Sequence, residues 1–395
     1  MPRIFSARWV LPIAQPPIAN GWVAVDGGRI TQVGSGRPPG DATEIDGVIL
    51  PGLVNAHTHL ELSWMRGQVA PAPTMPEWVE SLMALRRTVG HEPAAPILEG
   101  IREARDAGTA LVGDITNTLA AYEALGRSGM SAAVFRELLG FSVTDPSAVL
   151  ATTRAQIDAL PPNPKLRPSI VPHAPYSVSP ELLRAIADAA GSNRISIHLG
   201  ESAEEVEFLR DGRGAWRELL TKLGAWSDRW QAPGAGPVDY IAAHGLLNER
   251  LIAVHCVQLT DSELRQLADA GATVVTCPRS NRWTGAGLPP VARFYASGVR
   301  VAVGTDSLSS VEDLNVFAEL ALMRELAPDV PAGELLASAT RHGADALGFG
   351  DELGTLEAGK RAELIAVRVP GATVDVEEYL LTGITPSVVT WISGG

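Results

Sequence analysis

Lysine, cysteine and aromatic rings are scarce in this sequence, and no long apolar run is present. Three lysines, Lys165, Lys222 and Lys360, stand in a chain with 45 acidic residues and a net charge of −13. A basic face for nucleic acid or an anionic membrane is therefore not expected. The two cysteines, Cys256 and Cys277, are too few and too isolated for a disulfide framework, and both sit in strand-like runs where reduced, buried thiols are expected. No stretch reaches ~18 unbroken apolar residues, so no transmembrane helix is expected. The N-terminal "MPRIFSARWVLPIAQPPIANGWVAV" is broken by Pro12, Pro16 and Pro17 and has no small-residue cleavage site, unlike a secretory signal. The expectation is a soluble, cytoplasmic protein. What is plentiful is core material: 46% of residues are hydrophobic and 19% charged, a globular composition. At 395 residues the chain suffices for one large α/β barrel with an appendage, or for two to three ordinary domains.

Residues 1–52 carry short β-type runs with turns, among them a hairpin signal at Asp26-Gly27-Gly28. Residues 350–395 have the same texture, and the two ends are expected to pair into one small β-sandwich domain. Between them, over 53–349, apolar strands alternate with helical segments. Strands are read as ending near His59, Thr116, Gly140, Tyr176, Glu201, Leu259, Asn281 and Ser307, with helices over 77–89, 146–159, 180–190, 203–222 and 261–270. Eight such units predict an α/β fold of the (β/α)8 TIM-barrel type. A doubly wound sheet would place a glycine-rich phosphate turn after the first strand, where this chain has "NAHTHLELS". The stretch "AWSDRWQAPGAGP" (225–237) reads as a long loop over the fifth unit, in the place of a lid.

Histidine is concentrated where such barrels build active sites. Of eight, His57, His59, His173, His198 and His255 fall at the C-terminal ends of strand-like runs. His91, His244 and His342 lie in loop or helical contexts and read as surface or structural. In "GLVNAHTHLELS" the period of two turns His57 and His59 to one side of a buried strand. Two buried imidazoles without partners would cost about 1–3 kcal/mol each, so something must compensate. "RISIHLGESAEE" ends a β-branched strand at His198 with Glu201 close behind, and "LIAVHCVQL" places His255 alike. "VRVAVGTDS" ends a very apolar strand at Asp306, a costly carboxylate unless paired or metal-bound. Singly, each has an ordinary reading: hydrogen-bonded strand-end histidines, an acid at a helix start, an aspartate capping a helix. Together, in chain order on successive strands, they point to one divalent metal. Zinc is expected, although iron or manganese would suit the same donors.

These residues carry a resemblance. The chain resembles the amidohydrolase superfamily, in the branch of cytosine, guanine, S-adenosylhomocysteine/methylthioadenosine and aminodeoxyfutalosine deaminases and related chlorohydrolases. "PGLVNAHTH", "PHAPYS", "HLGES", "VHCVQL" and "GTDS" are similar to its motifs on strands one, four, five, six and eight, and "GTLEAGKRAELIAV" to its returning tail. The resemblance implies a distorted barrel with one divalent ion held by His57, His59, His198 and Asp306. It implies that Asp306 takes a proton from a water, His255 orients that water, Glu201 protonates the substrate ring and His173 contacts it. Two departures stand out. "TCPRSN" puts Thr276 and Cys277 where many relatives have other residues and introduces Arg279, and "LELSWMRGQVAPAPT" lacks the paired acidic residues many relatives show. "FRELLG" places a second arginine, Arg136, near the end of the third barrel strand. Arginines at the rim suit a substrate carboxylate, or else each pairs with a protein acid. The binuclear branch needs a lysine at the end of strand four, where His173 stands, and the H-x-E with P-C-x-x-C zinc-deaminase pattern is absent. The implied function is hydrolytic deamination of a 6-aminopurine nucleoside, with 6-aminodeoxyfutalosine, a menaquinone precursor, placed first. Methylthioadenosine or S-adenosylhomocysteine is the alternative, followed by chlorohydrolase-type hydrolysis and a non-catalytic scaffold barrel. The expected partner is a small nucleoside, and a homo-oligomer is compatible with the sequence.

Overall fold

The computed structural model describes residues 2–88 and 93–393. Four strands open the chain: β1 (Arg3–Val10), β2 (Ile18–Asp26), β3 (Arg29–Ser35) and β4 (Thr43–Pro51). Eight more follow between helices: β5 (Leu53–Thr58), β6 (Thr109–Thr116), β7 (Ser131–Leu138), β8 (Leu166–Pro172), β9 (Ile195–Leu199), β10 (Leu251–His255), β11 (Thr273–Thr276) and β12 (Arg300–Val303). Two short strands close it, β13 (Leu364–Val367) and β14 (Val389–Ser393). The two ends do pair. They form one mixed six-stranded sheet in the order β14-β13-β4-β1-β2-β3, rather than two separately hydrogen-bonded layers.

The eight middle strands are buried along nearly their whole length, as strands covered on both faces must be, and this gives their sequences continuous apolar runs. They form two four-stranded parallel sheets, β5-β6-β7-β8 and β9-β10-β11-β12. The sheets abut at two seams. At one, Asp306 N–H donates to His57 O at 3.0 Å and Thr58 bridges Asp306 in parallel register. At the other, His198 N–H donates to His173 O at 2.9 Å. Between the sheets Val54, Leu111, Phe135, Ile252, Val254 and Leu347 fill an apolar interior beneath the histidines.

Several strands are shorter than their sequences suggest. Left-handed backbone at His255 and Cys256 (φ 72° and 54°) ends β10 ahead of Leu259, and Pro278 starts a helix soon after β11, so Asn281 is helical. The helices over 146–159, 180–190 and 261–270 are present as Pro146–Asp158, Pro180–Ala189 and Asp261–Asp269, the last opened by a Thr260/Glu263 capping box. The expected 203–222 helix is two, Ala203–Asp211 and Ala215–Lys222, because Gly212 and Gly214 adopt positive φ between them. The first barrel helix is Met75–Arg86; residue 89, included in the expected span, and His91 lie outside the described residues. The 225–237 loop is pinned by stacking of Trp226 on Phe141 (5.7 Å) and of Trp230 on Phe208 (4.5 Å). None of the helices among the described residues is long and apolar enough to cross a membrane.

Close approach at the first seam depends on Gly304, where a Cβ would lie 2.8 Å from His57 Cβ and 2.7 Å from His57 O. Gly304→Ala is expected to cost about 1–3 kcal/mol of stability by overpacking. Chemical denaturation measures this, and an unchanged midpoint would show that the seam has slack.

Candidate active site

The period of two in β5 brings His57 and His59 to the seam, where they meet His198 from the end of β9 and His255 from the end of β10. The His57 ring centroid lies 5.0 Å from those of His59 and His198 and 5.5 Å from that of His255. One ligand nitrogen each from His57, His59 and His198 falls within 4.8 Å of the others. Asp306 Oδ1 stands 3.7 Å from His57 Nε2 and 3.3 Å from His59 Nε2. His57 is fully buried, and neither of its ring nitrogens has a hydrogen-bond partner among the described residues. Such an orphaned ring is costly unless a cation takes its lone pair. Burial and the neighbouring histidines hold His57 well below the ordinary histidine pKa. Burial likewise takes His173 and His198 to about 3 and His255 to about 4. These shifts favour neutral rings at His57, His173, His198 and His255, as metal binding requires, and the nitrogen-plus-carboxylate donors fit zinc, iron or manganese.

Neighbouring groups aim these donors. His198 Nδ1 donates to His173 O at 3.0 Å, which leaves Nε2 free for a ligand. Ser280 Oγ donates to Asp306 Oδ2 at 2.6 Å, which leaves Oδ1 toward the histidines. Burial pushes the Asp306 carboxyl up, but His59, His255 and the Ser280 hydrogen bond outweigh it and keep the group ionised. Asp306 and His255 both hold left-handed backbone (φ 60° and 72°), a local strain of order 1–3 kcal/mol each.

Glu201 has the opposite character. It is buried with Oε2 3.5 Å from His255 Nε2, and burial, then the Asp306 and Glu205 charges, raise its pKa well above the carboxylate range. Asn281 Nδ2 donates to His255 Nδ1 at 3.0 Å and reaches Glu201 Oε1 at 3.4 Å, placing the His255 proton on Nε2. Below it, Glu205 accepts the Gly200 N–H at 2.9 Å and the Glu201 N–H at 3.0 Å, fixing the turn that presents Glu201. His173, half-buried, has Nδ1 2.6 Å from Ser177 Oγ, with its ring 4.8 Å from that of His198.

The structure therefore brings together His57, His59, His173, His198, Glu201, His255 and Asp306. It does not bring in the two arginines. Arg279 Nε donates to Glu319 Oε1 at 2.7 Å, Nη1 to Asp313 Oδ1 at 2.8 Å and Nη2 to Asp313 O at 2.6 Å, so the expected substrate contact is corrected to an internal ion pair. Arg136 lies on the outer face of β7, with Nη1 on Glu137 O (2.7 Å) and Nη2 near Gln156 Oε1 (3.5 Å). Period-two alternation explains this, since Ala133 and Phe135 face the interior and Ala132 and Val134 the helices. The same parity turns Glu137 inward: it is buried, with Oε1 3.6 Å from His198 Nδ1 and Oε2 accepting from Asn117 Nδ2 at 2.9 Å. Sequence reading passed over Glu137, Glu205, Ser280 and Asn281. Parity within "FRELLG" could have found the first. His244 and His342 are structural, donating through Nδ1 to Tyr240 O (2.7 Å) and Val301 O (3.1 Å).

Comparison with known proteins places this geometry. The amidohydrolase family profile matches residues 48–391. The chain belongs to the amidohydrolase family. It is 32% identical over 382 residues to a 5-methylthioadenosine/S-adenosylhomocysteine deaminase from Moorella thermoacetica, covering 91% of this chain and 83% of that one. Among solved structures it is similar to the aminofutalosine deaminase of Helicobacter pylori (TM-score 0.85, 25% identity, 96% and 95% covered). An adenosine deaminase from Xanthomonas campestris with bound zinc is also similar (TM-score 0.83, 27% identity, 99% and 91% covered). The protein is accordingly a hydrolase acting on carbon–nitrogen bonds other than peptide bonds.

Two measurements check this site. Elemental analysis is expected to find about one divalent ion per chain, with His198→Ala retaining under about a tenth of it; full retention would remove His198 from the ligand set. Arg279→Met is expected to cost about 3–5 kcal/mol, because it strands the buried Glu319, while leaving KM unchanged in the folded fraction. A raised KM without loss of stability would return Arg279 to the substrate.

Proposed function

We propose that this amidohydrolase is a metal-dependent deaminase that releases ammonia from a 6-aminopurine nucleoside, with one divalent ion held by His57, His59, His198 and Asp306. The observation that carries the reading is the placing of two buried carboxyls of opposite character in one site: Glu201, 3.5 Å from His255 Nε2, with its pKa raised, and Asp306, 3.3 Å from His59 Nε2, with its pKa lowered. Deamination needs both: a base for the proton of the attacking water and an acid for the ring nitrogen beside the attacked carbon. A divalent ion bound here polarises that water and lowers its pKa to about 7. Asp306 accepts the water's proton and passes it to the departing amine. Glu201 gives its own proton to the ring, and His255 orients the water through Nε2–H. Asn281 and Glu205 are positioning residues that keep Glu201 and His255 in register, and His173 faces the substrate ring.

The same reading takes residues 53–349 as the metal-dependent (β/α)8 barrel, closed at the two seams, and residues 1–52 with 350–395 as the small β-domain, built on one sheet where a sandwich was expected. Retained Glu201 favours deamination over halide displacement, which has no need of a ring-protonating acid. For the substituent on the ribose two readings stand. Similarity to the Helicobacter pylori enzyme supports aminodeoxyfutalosine, and similarity to the Moorella thermoacetica enzyme supports methylthioadenosine or S-adenosylhomocysteine. Neither arginine supports a substrate carboxylate, since Glu319 and Asp313 pair with Arg279 and Arg136 lies on the outer face of β7.

The test is ammonia release by the metal-loaded protein from 6-aminodeoxyfutalosine, methylthioadenosine, S-adenosylhomocysteine and adenosine, with guanine and cytosine as controls. Turnover of at least one of the four nucleosides is expected, and Glu201→Gln is expected to keep the ion but lose about 10²–10⁴-fold in kcat. Silence on all four with the ion bound would refute the reading, and an undiminished Glu201→Gln rate would remove that residue from the mechanism.

A further inference from the structure

A second concavity opens at the opposite end of the strands from the histidines. It is a cleft of about 810 Å³ among the N-terminal ends of β8, β9 and β10. Its rim carries three guanidinium groups: Arg167 in β8, Arg194 directly before β9 and Arg250 directly before β10. Register places two of them side by side, because Leu251 pairs with Ile195 and so Arg250 neighbours Arg194. Arg300, which opens β12, adds a fourth positive charge felt by Arg194. The floor is apolar, formed by Ala133, Phe135 and Leu347.

The hydrogen bonds of Arg194 and Arg250 use only part of their donors and do not cancel their charge. Arg194 donates to Glu249 O and Asp345 O, each at 3.0 Å, and Arg250 donates to Gly191 O. Those acceptors are neutral carbonyls. Among the described residues Arg194, Arg250 and Arg300 form no ion pair, and only Arg167 does, with Glu352. Glu249 is the one carboxylate lining the cleft. Burial, then the proximity of Arg300, depresses the Arg194 pKa against the opposing pull of the Asp345 and Glu249 carboxylates. In a chain of net charge −13 this clustering runs against the overall balance. Arginine suits planar, multidentate recognition of phosphate oxygens, and a cleft this size has room for an organic group on its apolar floor.

We propose that this cleft is a binding site for a phosphate-bearing small molecule, separate from the metal-centred site, with Arg194 and Arg250 on the anion. The test is isothermal titration of the full metal-loaded protein with inorganic pyrophosphate and, separately, with ATP. At low salt, saturable one-site binding with a dissociation constant below about 1 mM is expected for at least one probe. Binding of ATP alone would mean that the floor contributes, and equal binding of both that the anion suffices; either supports the site. Arg250→Glu is expected to weaken binding at least about tenfold, and the double variant Arg194→Gln/Arg250→Gln to abolish it, with thermal unfolding checking that each is folded. His198→Ala is expected to bind unchanged. The proposal is overturned by the absence of saturable heat from both probes up to about 10 mM, by unaltered binding in folded Arg250→Glu, or by loss of binding in His198→Ala, which would place the anion at the metal centre.

Discussion

Everything in this molecule that bears on chemistry depends on His57 being buried with nothing in the protein to satisfy it. Its strand is sealed on both faces, its two ring nitrogens find no donor or acceptor among the described residues, and three more histidines crowd it. A hydrophobic core would not tolerate that arrangement on its own account. A divalent cation held by these donors, as proposed, would resolve it. The backbone contacts that join the two four-stranded sheets are made by the proposed ligand residues or by their immediate neighbours: His57 O with Asp306 N–H at one seam, His198 N–H with His173 O at the other. The junctions between the two sheets and the candidate site therefore share the same residues.

Two carboxylic acids then take opposite states within one small volume. Asp306 is ringed by imidazoles and held by Ser280, so its charge is favoured despite burial. Glu201, a short distance away across His255, faces Asp306 and Glu205, so its charge is opposed. This separation of a base from an acid is set by neighbours and requires no movement. Both Asp306 and His255 hold left-handed backbone at this place.

The sequence was legible where one residue's period or polarity sufficed. Continuous apolar runs marked the buried strands, the two-residue spacing of His57 and His59 marked a shared face, and Asp306 was conspicuous at the end of an apolar strand. It was illegible where the partner decides. Arg279 is a rim arginine by position, but Glu319 and Asp313, 40 and 34 residues away in the chain, claim it. Ser280, Asn281 and Glu205 are ordinary polar residues until Asp306, His255 and the Gly200–Glu201 turn come within hydrogen-bond distance. The break of one expected helix at Gly212 and Gly214 was visible in the residue types, yet helical periodicity on either side masked it.

The central claim is that three imidazoles and a carboxylate at these seams form one metal site. X-ray absorption at the metal edge of the zinc-loaded protein tests it most directly. The account predicts nitrogen and oxygen donors at about 2.0–2.2 Å, with the outer-shell scattering of three imidazole rings. A sulfur shell near 2.3 Å, which would bring in the buried Cys277 beside Asp306, or fewer than three imidazoles, would contradict it.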